Sequence, residues 1–272
     1  LGDVYKRQIT PIMYSLKIRS IQTGKGATGV ILECIATGSN GNCYILQADT
    51  GERLVLDAGI SISRLNQAID FDIKTLRGCL ITHHHKDHAR CVDELERIGA
   101  YVYMPYDIEN PKTLKKNYLG GFSVSSFSLD NNNGSFCHTD ADGTECPCYG
   151  YIIEHEEMGK MLYITDTQYV KWRFKGINHI LLGVNYDKEI VDENDTKRSH
   201  IYRGHMSIET ACRFVSVTDS KCLRNVIMCH LSKSNGDGDN FIARMEKCVK
   251  TANVDVADAG KKWRLRNNNC PF

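Results

Sequence analysis

The chain has 272 residues, with 34 Lys and Arg against 33 Asp and Glu, for a formal net charge of +1. That balance creates no global field for nucleic acid or an anionic membrane, so any basic surface has to be local. Hydrophobic residues at 42% and charged residues at 25% fit a soluble globular chain, and no run reaches the roughly 18 apolar residues of a membrane helix.

The chain begins Leu1-Gly2-Asp3, and Met13 leads directly into a strand-like run, so residues 1–12 are expected to be flexible. No charged-then-apolar leader is visible. Gly24-Lys25-Gly26-Ala27-Thr28-Gly29 lacks the Gly-Lys-Ser/Thr ending of a phosphate loop and reads as a hairpin turn. Short β-branched runs bounded by Gly, Asn or Asp predict strands at 29–36, 43–48, 53–56, 78–82, 101–104, 122–129, 149–154, 161–165, 177–184 and 226–230. Helical spacing predicts helices at 61–69, 89–98, 207–217 and 239–251, and Ser207-Ile208-Glu209 suits a helix start. Asn131-Asn132-Asn133-Gly134 is a turn signal, and residues 267–272 read as a frayed tail. The simplest partition is one α/β domain over residues 13–266, without repeats or a long linker. Twelve cysteines are scattered through the chain, several in apolar runs, which together with the missing leader favours reduced thiols and a cytoplasmic location.

Four of the ten histidines fall within residues 83–88, at the end of a predicted strand. Imidazoles bury poorly without partners, so packing gives no reason for the cluster. In His83-His84-His85-Lys86-Asp87-His88 the alternation of His83 and His85 lets two rings face one point, while Asp87 and His88 face a second. Neutral imidazole and carboxylate are the donors expected for zinc and similar divalent ions.

Thr82-His83-His84-His85-Lys86-Asp87-His88 resembles the signature of the metallo-β-lactamase superfamily. Companion motifs follow the same order: Leu54-Val55-Leu56-Asp57-Ala58-Gly59 before the cluster, then His138, Ile164-Thr165-Asp166-Thr167, and Met228-Cys229-His230-Leu231-Ser232. The resemblance implies a four-layer αβ/βα sandwich with two divalent metal ions, zinc first, with manganese or iron as alternatives. It implies His83, His85 and His138 on one ion, Asp87, His88 and His230 on the other, Asp166 bridging them, and Asp57 as a structural support. His84 and Lys86 occupy variable positions, and Asp140 and Asp142 are close enough to His138 to compete for its role. Cys146-Pro147-Cys148 lacks the second cysteine pair of a structural zinc site and is read as needing no metal.

Further segments resemble the WalJ/YycJ-type branch: Thr37-Gly38-Ser39-Asn40-Gly41-Asn42-Cys43-Tyr44, Asn185-Tyr186-Asp187 and Gly204-His205-Met206-Ser207. They imply a substrate loop with Ser39, Asn40 and Asn185, and a phosphate or leaving-group role for His205 beside Asp87 and Asp166. The implied activity is phosphodiester hydrolysis, as a 5′-to-3′ DNA exonuclease. Lys171-Trp172-Arg173-Phe174-Lys175, the lysines 112, 115 and 116, and Lys261-Lys262-Trp263-Arg264 are candidate tracks for the DNA. The rivals are a hydrolase of a lactone, thioester, β-lactam or cyclic phosphate, and a metal-binding module without turnover. No membrane partner is expected, and the oligomeric state is left open.

Overall fold

The computed structural model describes residues 28–105, 116–131, 133–136, 138–140, 142–191, 202, 204–232 and 234–267. The segment 1–12 expected to be flexible, most of the turn expected at 24–29, Lys112 and Lys115 lie outside the described residues, as does the tail beyond Asn267.

Among the described residues, thirteen strands pair into two sheets. The first has the order β13(Lys262–Leu265), β1(Val30–Ala36), β2(Cys43–Gln47), β3(Arg53–Leu56), β4(Leu76–Leu80), β5(Val102–Tyr103). The second runs β12(Asn253–Val256), β11(Asn225–Cys229), β10(His179–Gly183), β9(Gly159–Ile164), β8(Tyr149–His155), β7(Phe122–Ser128), β6(Asn117–Leu119). The pairs β3/β4 and β4/β5 are parallel, as are β9/β10, β10/β11 and β11/β12. Parallel neighbours end on the same edge, so loops leaving their carboxyl ends gather there.

Alternation along the strands builds the layers, because successive side chains point to opposite faces. In β9, Met161 and Tyr163 face the first sheet, while Leu162 and Ile164 face outward. Leu54 and Leu56 of β3 join the inner core with Leu32, Tyr44, Phe122 and Leu181. Val55 and Cys79 face outward against α1(Ile62–Ala68) and α3(Val92–Arg97) through Leu65, Val92 and Leu95. On the far side, α4(Ile208–Thr218) and α5(Gly238–Glu246) cover the second sheet with Ala211, Val215, Phe241 and Met245. Helix, sheet, sheet, helix is the four-layer sandwich.

Ser61 and Ser207 cap α1 and α4 by accepting from Arg64 N and Thr210 N. The expected helix at 89–98 divides instead into α2(Lys86–Ala89) and α3, because Arg90 and Cys91 turn the chain back beneath Ala58. The expected helix at 239–251 stops at Glu246, short of the run into β12. Strands β6, β12 and β13 were not expected. The last carries Lys261–Arg264, read from sequence as a basic track. Its charges are instead engaged along a sheet edge: Lys261 with Asp255, Lys262 with Glu33, and Arg264 with Asp49. Nine cysteines are free thiols, as expected, whereas Cys222 is disulfide-bonded. No described helix is long and apolar enough to cross a membrane.

Phe122 is fully buried between the sheets, whereas Val217 on α4 is 58% exposed. Phe122→Ala is expected to lower the unfolding free energy by about 3–5 kcal/mol in urea titration, and Val217→Ala to change it by less than about 0.5 kcal/mol.

Candidate metal centre

Strand ends supply the site. Asp57 follows β3 with φ 58°, Asp166 lies two residues past β9 with φ 48°, and His230 follows β11 with φ 57°. A left-handed backbone costs a non-glycine residue on the order of 1–2 kcal/mol, so three such residues at one edge mark strain held by the surrounding structure. Their sharp turns aim side chains across the edge, where a continuing strand would carry them past it. His83 and His85 follow β4, and the single turn of α2 brings Asp87 and His88 back towards β3. That turn fits only because residue 59 is glycine: a Cβ there would stand 1.7 Å from Asp87 O. Asn42 N and Ala58 N then donate to Asp87 O and His88 O at 2.7 and 2.6 Å.

Two groups of donor atoms result. His83, His85 and His138 bring ring nitrogens within 4.8 Å of one another, with His138 Nε2 2.8 Å from His85 Nδ1. Asp87, His88, Asp166 and His230 form the second group under the same limit. Asp166 stands between them. Its Oδ2 lies 2.8 Å from His88 Nε2 and 3.5 Å from His83 Nε2, while Oδ1 lies 3.6 Å from His230 Nε2. Asp87 Oδ2 is 3.4 Å from both His88 Nε2 and His230 Nε2. All seven side chains expected to bind metal are therefore gathered at one point.

The residues fit a pair of divalent cations. His83 Nε2 is buried without a hydrogen-bond partner, an arrangement that costs free energy unless something else occupies its lone pair. Burial and the charge of His88 push His83 well below the ordinary imidazole value, and burial lowers His138 to about 3. Both are thus neutral, the form that binds metal. Burial alone would raise the Asp166 carboxyl, but the imidazoles of His230 and His88 outweigh it and hold the group well below the carboxylate range. In return, Asp166 raises His88 and His230 against their own burial. A divalent ion held here would displace those protons.

A second set of contacts orients the imidazoles through their remaining nitrogens, as metal-binding histidines require. Asp57 Oδ2 lies 2.7 Å from His88 Nδ1 and accepts from Tyr163 OH of the opposite sheet, while both Asp57 oxygens face Thr82 Oγ1. Asp140 Oδ1 lies 2.8 Å from His85 Nε2 and equally close to His84 Nε2. Asp140, a candidate competitor of His138, therefore stands behind His85. Asn185 corrects the expectation of a substrate loop. It is buried, its Nδ2 lies 2.9 Å from His230 Nδ1, and its Oδ1 accepts from Met206 N. Every polar atom of its side chain is thereby engaged inside the protein. Ser39 and Asn40 are exposed on the rim, where with Arg64 and Leu231 they line a depression of about 230 Å³. His205 Nδ1 is 3.5 Å from Asp166 Oδ1, and its side chain remains 18% exposed, which places it at the mouth.

Sequence reasoning missed Asn42, whose Nδ2 lies 3.0 Å from His88 Nε2 and donates to Gly38 O. The signal was Gly41, at φ +145°, where an added Cβ would stand 2.4 Å from Gly59 O, so that only glycine fits next to Asn42. It also set Cys146 and Cys148 apart from metal, whereas the structure brings both within 4.8 Å of a His83 nitrogen. Asp57→Asn removes an anionic acceptor behind His88 and is expected to weaken metal binding by about 10- to 100-fold, measured by competition with a chromogenic chelator. Unchanged affinity in a natively folded variant would remove the support role.

Comparison with known proteins bears on the family and the fold. At 27% identity over 229 residues, the chain is similar to the exodeoxyribonuclease YycJ of Bacillus anthracis, covering 76% of this chain and 84% of that protein. In structure it is similar to the metallo-beta-lactamase fold protein YhfI from Bacillus subtilis, with a TM-score of 0.62 at 17% identity, covering 86% of this chain and 99% of that one. The short form of human tRNase Z superposes with a TM-score of 0.55 at 14% identity, over 86% of this chain and 99% of that chain. Residues 36–180 match the model of the metallo-beta-lactamase superfamily, and with the two-sheet fold around the histidine-rich edge this shows that the chain belongs to that superfamily of metal-dependent hydrolases.

Proposed function

We propose that this protein hydrolyses phosphodiester bonds in DNA, releasing nucleotides from a 5′ end with two zinc ions. The observation that carries the reading is the pair of donor groups joined by Asp166 at an open edge. The similarity to an exodeoxyribonuclease supports the choice of substrate. His83, His85 and His138 would hold one ion, Asp87, His88 and His230 the other, and Asp166 both. Bound there, such a pair lowers the pKa of water and offsets charge on attacking and leaving oxygens.

The chain's own residues prepare the rest. Asp57, Asp140 and Asn185 fix the ring orientations of His88, His85 and His230. His205, at the mouth and next to Asp166, is placed to give a proton to the departing oxygen. A cytoplasmic location is supported by nine free thiols among the described residues, with the disulfide at Cys222 standing against it.

The test is metal analysis by mass spectrometry combined with assays on 5′-phosphorylated duplex and single-stranded DNA. Two ions per chain and 5′-to-3′ shortening are expected. Asp87→Ala should fall to background, and His205→Ala should lose about 10²-fold in kcat with KM nearly unchanged. Full metal loading with turnover of a lactone or thioester, and none of DNA, would falsify the nuclease reading.

A further inference from the structure

The segment that leaves Asp166 towards β10 carries Lys171-Trp172-Arg173-Phe174-Lys175, and the structure sorts its side chains into two sets. Lys171 and Phe174 hold the segment down. Lys171 Nζ donates to Asp130 Oδ2 and Asn131 O at 2.7 and 3.1 Å, and Phe174 packs on Phe127 and Phe214 with ring centroids 5.0 and 6.3 Å away. Trp172, Arg173 and Lys175 are exposed. Trp172 is 43% exposed yet fixed, because Nε1 donates to Ser128 O at 2.8 Å and Lys171 Nζ sits 5.0 Å from its ring centre. An exposed but immobilised indole loses little further entropy when a flat ligand stacks on it.

Between this segment and the outer face of β7 and β8 lies a cavity of about 710 Å³, walled by Phe127, Ile152, Trp172 and Phe174, with Arg173 and Lys175 among its lining residues. Its acids are already matched: Asp130 by Lys171, and Glu154 by Lys116 and Lys160. Arg173 and Lys175 have no ion-pair partner among the described residues. Aromatic wall and surplus cations together suit a ligand with flat apolar faces and a repeating negative charge.

The Trp172 end of the groove is tied through the backbone to the metal edge. Tyr149 N donates to Thr82 O, next to His83; Tyr149 pairs with Ser128; and Ser128 O receives the Trp172 indole. Trp172 is six positions beyond Asp166, which limits their distance to about 20 Å, or about six stacked nucleotides at 3.4 Å each.

We propose that this groove binds the single-stranded part of a nucleic-acid substrate, stacking bases on Trp172 and pairing phosphates with Arg173 and Lys175, while one end of the strand lies at the metal centre. This rests on the phosphodiesterase reading above and adds where the strand runs.

The protein has two tryptophans, so Trp263→Phe leaves Trp172 as the only indole reporter. Titrating the metal-loaded variant with a phosphorothioate dodecamer, as DNA and as RNA, is expected to quench its fluorescence, whereas a dinucleotide leaves it unchanged. Trp172→Ala, which lacks the reporter and is read by filter retention of a labelled dodecamer, should weaken binding by roughly tenfold. Arg173→Glu with Lys175→Glu should weaken it at least as much and reduce the salt slope by about 2. Hydrolysis of bis(p-nitrophenyl) phosphate, too small to reach the groove, should stay at the parent rate in both variants. Dodecamer binding and cleavage that ignore all three substitutions overturn the groove and leave the nuclease reading standing. Turnover of a lactone or thioester with no oligonucleotide bound overturns both.

Discussion

The whole metal edge depends on one buried carboxylate. Asp57 is fully buried at the end of β3, in a left-handed conformation, and touches Thr82 and His88 of its own sheet and Tyr163 of the other. A carboxyl group so placed is tolerated only when its oxygens are satisfied, and here hydroxyl, backbone amide and imidazole all converge on it. The same contacts set the height of β4 against β3, the direction of the His88 ring and the docking of Tyr163. Geometry elsewhere at the edge follows: once His88 is fixed, Asp166 and Asp87 take positions around its Nε2.

Electrostatics then oppose burial throughout the site. Asp87 and Asp166 each pay a desolvation cost that neighbouring imidazoles offset, and each of His88 and His230 is raised by carboxylates against its own desolvation. His83 and His138 receive no comparable compensation and stay neutral. The centre is therefore asymmetric before any ion arrives: a three-imidazole face, in which His83 and His138 are neutral and His85 is raised to about 9 by Cys146 and Asp140, next to a carboxylate-rich one. That difference matches two cation positions of unequal ligand charge.

Much of this was legible in the sequence, and the failures have physical reasons. The His83–His88 run and the period-two strands on either side of it are local patterns, and they located the sheets and the reaction edge. Strands β12 and β13 escaped notice because they are edge strands with partly exposed faces, so charge interrupts their alternation. Lys261–Arg264 looked like a ligand track for the same reason, since its partners Glu33, Asp49 and Asp255 are distant in sequence or belong to an unexpected strand. Asn185 and Asn42 illustrate another limit. An asparagine near a motif can face substrate or brace a ligand, and only the fold reveals which, here through contacts 45 and 46 residues away.

The donors are divided between the two sheets: His83, His85, Asp87 and His88 follow strands of the first, while His138, Asp166 and His230 follow strands of the second. Any ion held by both sets works as a clasp across the sandwich, so ion occupancy and the docking of the two halves become one linked equilibrium. The linkage runs in both directions. A chelator would loosen the inner core, and a cavity cut far away, at Met161 for instance, would register as weaker ion binding at an edge it never touches.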